Sequence, residues 1–206
     1  MNMVPNSVAI GFVHGEHLHA RFVTSLITII QHHHYMVIDV SSSPNLSRGR
    51  NMVVDKFLET RHEWLFMVDT DTVFRRDTIS ALLGRDKDII SGLIQINNTP
   101  KNPSMFNRLH DDPAGTPVYY SITDYPPGEC IQVDAVGASC LLAHRSVYED
   151  IAQELPNKAA QWFQEVQQGN ELVGEDITFC QRALKIGYEI YVDTAVPVGH
   201  IKTHII

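Results

Sequence analysis

Short apolar runs alternate along this chain with segments whose apolar residues recur at helical spacing. Val8-Ala9-Ile10-Gly11-Phe12-Val13 predicts a first buried strand, opening into a polar loop from His14 to His19. Phe22, Leu26, Ile29 and Ile30 then predict an amphipathic helix over 20–32. A second strand, Tyr35 to Val40, and a Ser/Pro/Asn loop, Ser41 to Asn45, complete a β-α-β opening. Met52, Phe57 and the valines between them predict a helix starting near Leu46 or Ser47. It leads into Trp64-Leu65-Phe66-Met67-Val68, an apolar run that reads as a strand buried on both faces.

Beyond that strand, Asp77-Thr78 signals a short helix through Leu83, and Asp88 to Ile94 another buried strand. From Gln95 to about Pro127 the periodicity weakens, which predicts a long loop region with a hairpin around Val118 to Ile122. Val133 to Ala143 places small residues between two apolar arms, so Gly137 and Ala138 let a backbone or ligand come close. Helices are expected from His144 through Leu155 and from Ala159 to Gln168. A third, with Ile177, Cys180, Ala183 and Leu184 on its apolar face, is closed by Gly187. Tyr188 to Val192 is a last strand, followed by Val196 to His200. The order implies an α/β chain: a central mixed, mostly parallel sheet between helical layers.

Composition narrows the picture. A length of 206 residues suits one domain, with halves over about 1–94 and about 95–206. A net charge of −8 with no Lys/Arg run argues against nucleic acid or an anionic membrane as the main partner. No apolar stretch is long enough to span a bilayer, and the N-terminus lacks a signal-peptide pattern. Cys130, Cys140 and Cys180 are widely spaced with no CxxC pair, as expected of reduced thiols in a cytoplasmic protein.

The candidate chemistry starts where the central strand ends, at Asp69-Thr70-Asp71. Unpaired charge cannot sit inside a buried strand, so both carboxylates belong at its carboxyl end, where open α/β sheets bind ligands. Two hard oxygen donors there suit Mg²⁺ or Mn²⁺ whose shell is completed by phosphate oxygens and water. Arg48 and Arg50 lie at the start of the preceding helix, where fixed positive charge joins free backbone N–H groups, a good place for phosphate. Glu175 and Asp176 open a later helix, a position that dipole capping alone would explain. His17, His19 and His32-His33-His34 match no metal spacing and read as surface residues; His14 directly follows the first strand.

Together these motifs resemble the small glycosyltransferases of the GT-A fold, family-2-like or of bacteriophage type. The strand ending in Asp69-Thr70-Asp71 resembles their DxD motif, and Ser47-Arg48-Gly49-Arg50-Asn51 the opening of the helix before it. Val136 to Leu142 is similar to their small-residue turn on the acceptor side, and Gly174 to Tyr188 with Val198-Gly199-His200 to their closing segment. The resemblance implies a nucleoside-diphosphate sugar donor and a hydroxyl-bearing acceptor (glycan, protein or small molecule). It implies Mn²⁺ or Mg²⁺ on Asp71, Asp69 and His200, with His204 close enough in sequence to be confused with His200. Phe12, Val13, His14 and Asp39 would border the nucleoside, with Arg48, Arg50, Asn51, Asp69 and Thr70 along the donor. Gly137 and Ala138 would face the acceptor, and Asp176, or its neighbour Glu175, would be the general base. Two departures stand out. The second strand ends in Asp39-Val40-Ser41-Ser42-Ser43, not Asp-Asp-Gly-Ser, and only six residues follow His200 where a lid is usual. So compact a transferase would suit the cytoplasm of a bacterium or of a bacteriophage's host.

Two other classes fit parts of the pattern. Asp69-Thr70-Asp71-Thr72-Val73 also matches the DxDx[TV] motif of haloacid-dehalogenase phosphatases, with Asp69 as nucleophile. Such a motif normally lies on a strand near the N-terminus, and here a whole β-α-β-α unit precedes it. A non-catalytic nucleotide-sugar-binding module on the same fold is the other; it has no need to keep Asp69, Asp71, Asp176 and His200 together. A dinucleotide-binding dehydrogenase has no GxGxxG to rest on.

Overall fold

The computed structural model describes residues 4–42, 45–98, 101–113, 115–154 and 162–202. The chain opens with β1 (Val4–His14), α1 (Ala20–His32), β2 (Met36–Ser41), α2 (Leu46–Leu58) and β3 (His62–Val68). There follow β4 (Thr72–Val73), α3 (Thr78–Leu83), β5 (Ile89–Asn98), β6 (Lys101–Pro103), β7 (Met105–Asp111) and β8 (Pro117–Ser121). The remainder comprises β9 (Cys130–Val133), β10 (Ala135–Val136), β11 (Cys140–His144), α4 (Arg145–Glu154), β12 (Val166–Gln168), β13 (Glu171–Val173), α5 (Glu175–Lys185) and β14 (Ile190–His200). Among the described residues no helix is long and apolar enough to cross a membrane.

The central sheet has the order β2-β1-β3-β11-β5-β14-β4. β2, β1 and β3 are mutually parallel, as are β5 and β14, while β11 runs antiparallel between β3 and β5. β3 shows why the apolar run needs two covering layers. Leu65 and Met67 point into the core under α2, α4 and α5; Phe66 and Val68 point into the one shared with α1 and α3. All four are essentially removed from water, each contributing about 1.5–3 kcal/mol of burial free energy. α2 begins where Asn45 accepts a hydrogen bond from the Arg48 amide (2.8 Å). Gly49 lets this helix start lie against the end of β1, since a Cβ there would strike the Val13 methyl groups.

The early elements fall where the pattern places them, and α1 spans the expected 20–32. Later segments differ. The expected helix over Ala159–Gln168 does not form at its described end: Val166–Gln168 is a strand paired with Glu171–Val173. Gly169-Asn170 makes the two-residue turn, with Gly169 at φ +58°, a hairpin signal that outranks the helix propensity of the glutamines around it. Residues 159–161 lie outside the described residues, as do Ser43 and Pro44 of the loop after β2. The hairpin expected around Val118–Ile122 is formed by β7 and β8, so Val118 lies in its second strand. The last strand continues to His200 through a register shift between Asp193 and Pro197. There the buried Asp193 carboxylate takes a two-pronged ion pair from Arg85 (2.7 and 2.9 Å) and caps the Ala195 amide.

The start of α4 carries a structural cation that its sequence position does not announce. The buried Arg145 guanidinium donates to the carbonyls of Phe57, Thr60 and His62 (3.1, 2.9 and 2.9 Å), closing the end of α2 and aligning it with β3. Replacing it by an apolar chain of similar length strands these carbonyls. Arg145→Met is expected to lower the unfolding free energy by about 2–4 kcal/mol, read from chemical denaturation.

Candidate functional site

Strand registers bring the candidate residues to one edge of the sheet. β3 ends at Val68, opposite Cys140 of β11, so Asp69 follows beside Ser139. The Asp69 amide donates to the Ser139 carbonyl (3.3 Å), and the Ser139 hydroxyl donates back to Asp69 Oδ2 (2.7 Å). The chain then turns, with the Thr72 amide bonded to the Asp69 carbonyl (3.1 Å), and enters β4. β4 pairs with the end of β14 so that His200 stands opposite Thr72 and the Ile201 amide meets the Asp71 carbonyl (2.7 Å). This register sets His200 Nε2 3.1 Å from Asp71 Oδ2.

Arg50 is the hub of the inner site, with its side chain only 3 % exposed. Nη2 donates to both oxygens of Asp69 (2.9 and 3.2 Å), and Nη1 to Oε1 of Glu175 at the start of α5. Its guanidinium carbon lies 5.9 Å from the centre of the Phe163 ring. Burial works against the charge on Arg50, but Asp69 and Glu175 outweigh it and hold the group above its ordinary value. Burial likewise opposes ionisation of Asp69, yet Arg50 and the Ser139 hydroxyl prevail and hold its carboxyl below the usual carboxylate range. Asn51, next in α2, spends both ends of its amide on the Phe163 backbone (2.7 and 3.0 Å), which locks that segment over the ion pair.

Asp176 differs from its neighbour. Glu175 is bound to Arg50, whereas Asp176 uses Oδ1 on its own helix, accepting from the Ile177 amide (2.8 Å). Burial, reinforced by the charge of Glu175 and only partly offset by Arg50, pushes its carboxyl up. Oδ2 faces Gly137: a Cβ there would lie 3.5 Å from it and collide with the Ser104 hydroxyl. Glycine therefore keeps open the space between Ser104 and Asp176, and its amide donates to Ser104 Oγ (3.2 Å).

The first-strand end separates into two environments. Phe12 packs edge-on against Phe22 (5.1 Å) in the core beside α1, and Val13 lies under Gly49. His14 emerges at the edge, its Nε2 3.6 Å from Asp39 Oδ2 and its Nδ1 on the Gly15 carbonyl (2.6 Å). Next to it is an open cleft of about 430 Å³ lined by Gly15, Glu16, Ser41, Ser42, Arg48 and Met52. The two arginines of α2 are thus divided, Arg48 facing this cleft and Arg50 turned inward. Thr70 is half-buried in the turn, and Ala138 is buried in the core. Sequence reasoning singled out neither Ser139, which only the β3–β11 register puts beside Asp69, nor Ser104, Phe163 and Gln95.

The residues were tested against a divalent cation. His200 Nδ1 lies 3.3 Å from the Gln95 carbonyl, which can only accept, so Nδ1 carries a proton. Nε2 faces the Asp71 carboxylate: a charged ring donates to it, and a neutral ring turns a lone pair there that a divalent cation could share with the carboxylate. Octahedral Mg²⁺, with bonds of about 2.0–2.1 Å, sets adjacent ligand atoms about 3 Å apart, and the observed 3.1 Å fits. Asp71 is half exposed and open to further ligands. Asp69 is held by Arg50 and Ser139, so Asp71 and His200 are the less encumbered donors. Among the described residues no third His, Cys, Asp or Glu joins them, so phosphate oxygens and water would complete the shell. His204 lies outside the described residues.

No family model matches the chain, and no curated protein matches it. Among solved structures it is similar to A197 from STIV, with 14 % identity, 96 % of this chain and 86 % of that one covered, and a TM-score of 0.63. It is also similar to GalNAc-T7 with UDP, GalNAc and Mn²⁺, with 9 % identity, 96 % of this chain covered and a TM-score of 0.65. The chain spans 43 % of that protein's length. At these identities the likeness is one of fold: an α/β, glycosyltransferase-like GT-A fold with a central mixed, mostly parallel sheet.

Proposed function

We propose that this chain is a metal-dependent glycosyltransferase that moves a sugar from a nucleoside-diphosphate donor to an acceptor hydroxyl. The observation carrying this reading is the Asp71–His200 pair, poised for a cation at the carboxyl edge of the sheet, with the raised carboxyl of Asp176 at the same edge. The chain works as one unit, its first half supplying most of the donor side, joined there by His200, and its second half the acceptor side.

In this reading the nucleoside occupies the cleft beside Arg48, His14 and Asp39. Asp71 and His200 would hold Mn²⁺ or Mg²⁺, which would supply Lewis-acid neutralisation of charge on a departing diphosphate. Arg50 keeps Asp69 and Glu175 in place; Gly137 leaves room for the acceptor in front of Asp176. The acceptor oxygen bonds to the anomeric carbon as its proton passes to Asp176 Oδ2, and the bond from that carbon to the diphosphate oxygen breaks. A base on the acceptor side makes this an inverting transfer. The raised carboxyl of Asp176 strengthens it as a base, because basicity follows pKa.

Release of nucleoside diphosphate from a panel of UDP-, GDP-, ADP- and TDP-sugars tests the reading. One donor is expected to turn over with Mn²⁺ and to stop with EDTA. Asp71→Ala and His200→Ala should each reduce turnover at least about 100-fold. Metal-dependent binding of a donor with no turnover under any acceptor would make the chain a binding module instead.

Asp176 sets a pH dependence. Only its ionised form accepts a proton, so kcat/KM should rise with pH through one ionisation whose midpoint lies above the ordinary carboxylate value. Asp176→Asn is expected to lower the rate by about 10²–10⁴-fold and to flatten this limb. An unchanged profile in the variant assigns the base elsewhere.

A further inference from the structure

Among the described residues, two buried polar atoms of the site, Arg50 Nε and Gln95 Oε1, have no hydrogen-bond partner, and the second belongs to a neutral side chain. Gln95 lies near the carboxyl end of β5, where its backbone carbonyl meets His200 Nδ1 at 3.3 Å. Its side chain donates from Nε2 to the Tyr125 hydroxyl (3.2 Å), while Oε1 is buried with no hydrogen bond. Exchanging the two ends of the amide turns the deficit from an acceptor into a donor at the same spot and does not remove it. A buried amide end left unpaired carries its full desolvation penalty, and an apolar side chain of the same length would avoid it.

The surroundings say what the missing partner is. Leu93, two residues earlier and on the same face of β5, packs into the core under α2 and α5, so Gln95 points to the side of the sheet that holds Arg50 and Asp176. The preceding residue, Ile94, accepts from the Ser104 amide (2.9 Å), and Ser104 Oγ receives the amide of Gly137, the glycine that faces Asp176. Gln95 therefore links the Asp71–His200 pair to the space before Asp176. Under the glycosyltransferase reading, on which this inference rests, the diphosphate sits at the first end and the accepted proton at the second. The group between them is the transferred sugar. We propose that the Gln95 amide reads one ring hydroxyl of that sugar and so determines which donor is used. A hydroxyl both donates and accepts, so it satisfies the amide in either orientation, and Tyr125 fixes the amide plane.

Gln95→Met tests this cleanly, because the main-chain carbonyl on His200 is retained. Calorimetric titration with Mg²⁺ would compare the nucleoside diphosphate, the sugar nucleotide that turns over in the donor panel, and its monodeoxy analogues, all without acceptor. The diphosphate should bind wild type and variant within about 2-fold, and the intact sugar nucleotide at least about 10-fold more weakly to the variant. One deoxy analogue should bind both proteins equally. Tyr125→Phe, which leaves the amide but frees it, should give a smaller loss at the same ring position and carries the test if Gln95→Met does not fold. Equal binding of the intact donor to both proteins, a uniform loss across the diphosphate and every analogue, or an effect seen only once acceptor is added would overturn the assignment. Wild type that turns over a donor while Gln95→Met keeps the same analogue preference sinks this inference alone. Wild type that binds no sugar nucleotide sinks it together with the glycosyltransferase reading.

Discussion

The inner site rests on the charge of Arg50. A guanidinium this deeply buried is tolerable only when its charge is matched, and here Asp69 and Glu175 match it from two different elements. The dependence runs both ways. Without Arg50 the two carboxylates would share a poorly solvated space with Asp176 close by, and α5 would begin with repulsion. The cation thus ties the end of β3 and the start of α5 to α2. Asn51 extends the tie by clamping Phe163, which stacks on Phe179 of α5 (4.8 Å).

This arrangement divides the acids by role through their partners alone. Asp69 and Glu175 are bound to the cation, and Ser139 also takes up Asp69 Oδ2. Asp71 sits in the turn after β3, half exposed and facing His200. Asp176, one residue past Glu175, loses solvent without gaining an ion pair, which is why its carboxyl moves up while that of Asp69 moves down. Four carboxylates within one edge of a sheet thereby acquire different environments: two tied to Arg50, one half exposed beside His200 and one buried with its carboxyl pushed up.

β11 has a part in this that its length conceals. Inserted antiparallel between β3 and β5, it brings the turn that carries Gly137 and Ser139 back to the same edge at which β3 and β5 end. A parallel strand there would deliver that turn to the opposite edge. The register shift in β14, beside the Arg85–Asp193 pair, takes up residues between Asp193 and Pro197 and so sets where along β5 His200 stands.

Much of this was legible in the chain by itself. Local periodicity specified the opening β-α-β-α-β unit, because each of those elements buries a continuous stripe or run and so must write it into adjacent residues. The same logic put Asp69 and Asp71 at a strand end, since unpaired charge cannot enter a buried strand. Hairpin pairing in the second half was less legible: Gly169-Asn170 marks a turn, yet the glutamines beside it read equally well as helix. What the sequence could not determine is which groups meet across long separations. Arg50 with Glu175, Ser139 with Asp69, His200 with Asp71, and Gln95 with Tyr125 are set by strand order and register, which depend on how whole elements pack. The sequence by itself determined the fold class and the supply of acids at one edge. Only the tertiary structure decided which acids are held by Arg50, which stays half exposed and which has its carboxyl pushed up by burial, because those properties come from neighbours that sequence spacing does not encode.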